Sequence, residues 1–120
     1  MALFACKVGG SEGAPIENAT VLTNQGNDNS EAIYSYTFNQ DYDLVLICGG
    51  YNMGYSDTIN LGTADILVNT TVGIRERGKD GETQYSYAGG WSRTIIAKNV
   101  KAGSSYSTGY LFGLKIYALE

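Results

Sequence analysis

Asp43-Leu44-Val45-Leu46-Ile47-Cys48-Gly49-Gly50 contains the only unbroken apolar run of the chain long enough to be buried on both faces. A polar turn, Asn39-Gln40-Asp41, precedes it and a glycine pair closes it, so its Val, Ile and Leu content reads as a core strand between turn signals. A buried helix is the competing reading, but so short a run ending in two glycines cannot sustain one. The glycines do not make a nucleotide site either. Gly49, Gly50 and Gly54 lack the spacing of the dinucleotide fingerprint, no Lys-Ser or Lys-Thr pair follows, and residues 55–61 have no helical apolar period. The run is the expected central strand of an all-β domain.

Upstream, Tyr34, Tyr36 and Phe38 alternate with Ile33, Ser35 and Thr37, which predicts a half-buried antiparallel strand over residues 32–38. The short connection 39–42 makes that strand the expected hairpin partner of the central one. Residues 19–23 form a further strand candidate, and the oxygen-rich run 24–31 a solvated turn. That run lacks the glycine and terminal glutamate of an EF-hand loop, and Asp41 and Asp43 read as a strand break rather than metal ligands.

Downstream, residues 51–62 read as an aromatic, glycine-rich loop at one end of a sandwich. A strand over 65–72 should set Ile66, Val68 and Thr70 against Leu67, Asn69 and Thr71. Gly78-Lys79-Asp80-Gly81 predicts a tight type I′ hairpin turn with arms 74–77 and 82–87, charged and therefore superficial, ended by Gly89 and Gly90. Strands follow over 92–98 and 110–119 around a turn at 100–103, the last with Tyr110, Phe112, Leu114, Ile116 and Ala118 facing inward. Roughly seven or eight short strands, no amphipathic helix and no internal repeat predict an antiparallel β-sandwich or jelly roll.

Residues 2–8 carry Leu3, Phe4 and Val8 and read either as an attachment arm or as a first strand of the sheet. Residues 9–15 hold three glycines and the only proline, a flexible connector. The chain therefore divides into an arm and connector, 1–15, and a sandwich domain, 16–120.

At 120 residues the chain is one domain, with 17% charged residues, a net charge of −4 and scattered basic residues. That balance excludes a phosphate-neutralising stripe for nucleic acid and disfavours an anionic membrane surface. No long apolar span is present to cross a membrane as a helix. The absence of histidine removes the commonest general base, zinc ligand and activator of a nucleophilic Ser or Cys. With no serine–lysine motif and no metal or cofactor signature, the expectation is a non-enzyme without cofactor. Cys6 and Cys48 can pair, although Cys48 in the core run also suits a small buried hydrophobe. The start of the chain has no basic n-region or cleavage site, and the sequons at Asn18 and Asn69 read as chance matches in its absence.

Ten tyrosines and one tryptophan point instead to binding. Tyr51, Tyr55, Tyr85, Tyr87, Trp91 and Tyr106 fall in predicted loops or hairpins, where rigid amphipathic rings suit stacking on sugars or contact with proteins. Of these, Trp91, Tyr51, Tyr55, Tyr85 and Tyr87 are the ligand or interface candidates. Tyr34, Tyr36 and Tyr110 share faces with apolar residues and read as ordinary strand formers.

The opening Met1-Ala2-Leu3-Phe4-Ala5-Cys6-Lys7-Val8-Gly9-Gly10, the stretch from Tyr36 through Ile47, Asn99-Val100-Lys101-Ala102-Gly103, and Tyr110 through Tyr117 resemble small virion structural proteins of gut Firmicutes phages and prophages. The resemblance implies a head-decoration, head-fibre or tail-tip protein. An N-terminal arm would dock on other virion proteins, and a jelly-roll head would face solvent as a homo-oligomer, expected to be a trimer. It implies synthesis in the bacterial cytoplasm, a place on the particle surface, and no catalytic residues. The alternative from the residues is a carbohydrate-binding module using exposed Tyr and Trp, with a host-surface glycan as ligand.

Overall fold

The computed structural model describes residues 19–26, 33–80, 84–110 and 113–119, and over 74–80 and 84–89 the backbone alone. The predicted arm, with Leu3, Phe4 and Val8, its connector, and the oxygen-rich run from Asn27 lie outside the described residues. Eight strands are present: β1 (Thr20–Gln25), β2 (Ser35–Thr37), β3 (Tyr42–Asn52), β4 (Thr58–Asn60), β5 (Asp65–Asp80), β6 (Gln84–Val100), β7 (Ser105–Ser107) and β8 (Leu114–Ala118). They form two antiparallel sheets, ordered β1-β8-β3-β6-β5 and β2-β7-β4. The fold is an all-β sandwich, and β3, the apolar run, is the middle strand of the larger sheet.

Alternation along β3 sends Val45, Ile47 and Gly49 toward the smaller sheet, where they meet Ala97, Ile95 and Arg93 of β6 in register. Leu114 and Ile116 of β8 and Val100 of β6 belong to the same cluster, and Phe38, Leu61 and Tyr106 join it from outside the larger sheet. Val45, Ile47, Ile95, Ala97, Val100, Tyr106 and Ile116 have no exposed surface. Each large side chain so buried contributes about 1.5–3 kcal/mol, which is what holds the sheets together.

The pairings β1–β8, β2–β7 and β3–β6 are those of a long ribbon rolled on itself, as in a jelly roll, and β3–β8 and β4–β7 are its side-by-side contacts. A fully rolled ribbon would place β5 beside β4. Here β5 pairs with β6 along its whole length, so the plan departs from a jelly roll at that strand.

Several local expectations are corrected. Residues 35–37 do not pair with the central strand; β2 joins β7. Phe38 N–H donates to Ser104 O at 2.8 Å and so keeps β2 on the smaller sheet, and the chain then turns the corner, leaving the Phe38 and Tyr42 rings edge to face at 5.8 Å. The loop 51–62 contains β4, and Ser105–Ser107 is a strand that the sequence reading passed over. Residue 110 is a turn, and the last strand begins at Leu114. A bulge between Ile66 and Val68 resets the phase of β5, so Ile66 falls opposite Ala97 while Val68 and Thr70 fall opposite Ile96 and Thr94.

The predicted hairpin exists but is longer and differently registered. β5 and β6 run through Gly73, Gly78, Gly89 and Gly90 without a break, and Lys79 pairs with Tyr85 and Asp80 with Gln84, a register that a two-residue turn at Asp80-Gly81 does not give. β3 stops accompanying β6 at the Asn52↔Gly90 pair. From there six pairs, Arg75↔Gly89 to Asp80↔Gln84, form a two-stranded ribbon with no third strand among the described residues, about 20 Å long at ~3.4 Å per residue.

Candidate functional surface

The root of that ribbon is where the larger sheet emerges from under the smaller one. Tyr51, Trp91 and Gly73 stand side by side on β3, β6 and β5, on the core-facing side. The three strands of the smaller sheet are only three residues long, and the chain leaves β7 through Gly109, whose N–H donates to Gly50 O at 2.9 Å. Tyr51 is therefore half covered, whereas Trp91 lies beyond the cover with 44% of its surface exposed. Its ring rests on the backbone of Gly73: a Cβ there would come within 3.2 Å of the indole. The missing side chain of Gly73 makes the shelf against which the six-membered ring of the indole lies.

After Asn52 the chain reverses in a tight turn, with Gly54 at φ 87° and Tyr55 N–H donating to Asn52 O at 3.0 Å. Only glycine adopts that conformation without strain. The turn presents Met53 and Tyr55, 59% and 52% exposed, and the Tyr55 ring stacks on Tyr110 with centroids 4.8 Å apart. Trp91, Tyr55 and Met53 thus form an exposed aromatic and thioether surface at one end of the sandwich, backed by Tyr51 and Tyr110.

Beneath it lies a polar knot. Asp57, its side chain 3% exposed, accepts two bonds from Arg93, Nε to Oδ2 at 2.8 Å and Nη2 to Oδ1 at 3.0 Å. Arg93 Nη1 donates to Asn69 Oδ1 at 2.9 Å, and the guanidinium sits 5.8 Å from the Tyr51 ring centroid. The Tyr106 hydroxyl donates to Asp57 Oδ2 at 2.7 Å. Burial, then the bond to the carboxylate, pushes the Tyr106 phenol far above its usual range, and the Asp57 contact raises Arg93. Each of these donors is committed to the protein, so the knot ties the two sheets together rather than offering free groups to a substrate.

Comparison with known protein families, characterised proteins and solved structures finds no match to this chain.

Among the five aromatic candidates, the structure brings Trp91 and Tyr51 together and sets Tyr55 nearby on the same end. Tyr85 and Tyr87 occupy ribbon positions opposite Lys79 and Arg77 and belong to a separate element. Tyr106, expected in a loop, is fully buried in β7, because Gly49 opposite it leaves room for the ring. Tyr34 and Tyr36 both pack on the core, but only Tyr36 does so from a strand: Tyr34 precedes β2, and Tyr110, also expected in a strand, lies in a turn. Asp41 caps a turn instead: it accepts the Ala102 N–H at 2.9 Å, which lowers its pKa, and lies 3.6 Å from Lys101. Among the described residues no three Asp, Glu, Cys or His side chains converge as a metal would require.

The sequence reading missed the Asp57–Arg93–Tyr106 knot, yet one signal pointed to it. Arg93 has the same parity as Ile95 and Ala97, so alternation alone places a charge on the core face, where it requires a partner.

Proposed function

We propose that this chain is a non-enzymatic virion structural protein, a capsid-decoration, head-fibre or tail component that self-assembles as a homo-oligomer and docks on the particle surface. The observation carrying the proposal is the β5–β6 ribbon. An isolated two-stranded ribbon is marginal in water, and among the described residues no strand pairs with either of its edges, whose backbone groups a neighbouring copy can complete. The partly rolled strand order adds weight, since jelly rolls are frequent in viral capsid and lectin domains, as do the sequence stretches that resemble phage structural proteins.

The test is the mass in solution of the full chain and of a variant in which residues 75–89 are replaced by Asn-Gly. The expected result is a full-length oligomer, a trimer on the sequence expectation, and a folded monomer for the variant. A full-length chain that stays monomeric at high concentration would overturn the reading.

A second reading is favoured by the exposed Trp91 and Tyr55: a carbohydrate-binding surface, with stacking of sugar rings on the indole. It requires a glycan-dependent change in tryptophan fluorescence, since Trp91 is the single tryptophan. A flat response across a glycan panel removes it.

A further inference from the structure

β5 is an edge strand of the larger sheet, and its register with β6 sets out a row on the core-facing side: Gly73 opposite Trp91, Thr71 opposite Arg93 and Asn69 opposite Ile95. The row lies clear of the smaller sheet, for Gly73, Thr71 and Asn69 are all exposed. From Gly73 to Asn69 it runs about 14 Å at ~3.4 Å per residue. At one end the indole of Trp91 is 44% exposed. At the other, Arg93 Nη1 donates to Asn69 Oδ1 at 2.9 Å. A guanidinium has no acceptor, so this bond fixes the amide with its oxygen toward Arg93 and its Nδ2 group turned away as a donor. Asp57 takes two further bonds from Arg93 and is itself only 3% exposed, so that carboxylate is withheld from a ligand.

We propose that this row is a subsite for a short glycan containing N-acetylated hexosamine: one sugar ring stacks its C–H face on Trp91, and the acetamido carbonyl of a ring farther along accepts a hydrogen bond from Asn69 Nδ2. The proposal rests on the sugar-binding reading above and adds to it the class of sugar and the direction in which the glycan lies, along β5. Three observations select that ligand. An exposed indole beside an open strand suits the apolar face of a sugar ring, and a row of about 14 Å exceeds one ring, so the ligand is an oligomer. The fixed Nδ2 donor calls for an acceptor; an acetamido carbonyl accepts only, whereas a sugar hydroxyl brings a proton that needs its own partner. A carboxylate would also accept, but the chain carries a net charge of −4 and the Arg93 charge at the row is already neutralised by Asp57. The neutral acetamido group meets no such repulsion. Thr71, between the two contacts, supplies a hydroxyl that donates or accepts.

The probes are two trimers of the same linkage, one of N-acetylglucosamine and one of glucose, titrated into the full chain by calorimetry with tryptophan emission read in parallel. The acetylated trimer should bind about tenfold tighter than the glucose trimer and shift the emission of Trp91, the single tryptophan. Asn69→Asp keeps an acceptor for Arg93 and replaces the Nδ2 donor by an oxygen. It should remove the preference for the acetylated trimer while leaving the weaker binding of the glucose trimer unchanged. If that variant does not fold, the two trimers compared on the wild-type chain decide alone. Equal affinities for the two trimers, or an undiminished preference in folded Asn69→Asp, would overturn the proposal and leave the sugar-binding reading standing. No response to either trimer also overturns it, and the sugar-binding reading falls with it only when the wider glycan panel is flat.

Discussion

Arg93 and Asp57 show how a single buried charge pair can set the stability of a small sandwich. Replacing Arg93 by Ala leaves a carboxylate that is 3% exposed without its ion partner, and such a loss is expected to cost about 3–5 kcal/mol. Arg93→Lys should recover only part of it, because an ammonium cannot reproduce the two-point bond to Asp57 together with the bond to Asn69. Urea midpoints of the three proteins check the order. Tyr106 carries a pH dependence of definite sign. Its folded pKa is raised above the unfolded value of 10.0, so its contribution is intact below pH 10 and falls above it, by roughly 1.4 kcal/mol per pH unit while only the unfolded chain ionises. Thermal melts in the alkaline range should show a decline that Tyr106→Phe reduces, although that variant starts about 1.5–3 kcal/mol lower for the lost bond to a carboxylate. At Gly49 the same ring leaves no room for a methyl group, which would lie 2.5 Å from it. Gly49→Ala is therefore expected to destabilise by about 1–3 kcal/mol through overpacking, measured by the same denaturation.

At the scale of elements, what was legible followed from alternation, and what was not followed from pairing. The run around Ile47 identified the middle strand because a strand covered on both faces must be apolar throughout. Likewise Leu114, Ile116 and Ala118 were correctly placed inward, and all three are buried. Partner choice left no such trace. A four-residue connection after Phe38 favours a hairpin by length alone, yet backbone bonds to Ser104 and Gly103 hold β2 to a strand far along the chain. Glycines misled in β6, where Gly89 and Gly90 read as a stop, whereas the strand passes through them. The exposed end was half legible: the double glycine flagged Trp91 as exceptional, but the shelf at Gly73 comes from a strand eighteen positions earlier. A methyl at Gly73 is 3.2 Å from a ring that is 44% exposed and free to tilt. Gly73→Ala should thus shift the tryptophan emission while changing stability by less than about 1 kcal/mol.

For the whole molecule, the dimensions are 52 × 31 × 22 Å with a radius of gyration of 15.1 Å, against about 13.6 Å for a compact domain of this length. Small-angle scattering at low concentration should detect the excess for a monomer, and replacing residues 75–89 should remove most of it. Cys48 is disulfide-bonded, and its reduction is expected to lower stability by about 2–4 kcal/mol, read as a shift of the urea midpoint in dithiothreitol. The ribbon also decides what kind of assembly is open to the chain. Its two edges, which no described strand pairs, belong to different strands, β5 and β6, and so are not equivalent surfaces. Two copies joining β5 to β5 about a two-fold axis would satisfy one edge each and leave both β6 edges bare. Joining the β5 edge of one copy to the β6 edge of the next uses every edge, but only a rotation that returns to its start makes a closed ring; any other pitch grows without end. The twist of six residue pairs thus stands between a closed ring and a fibre.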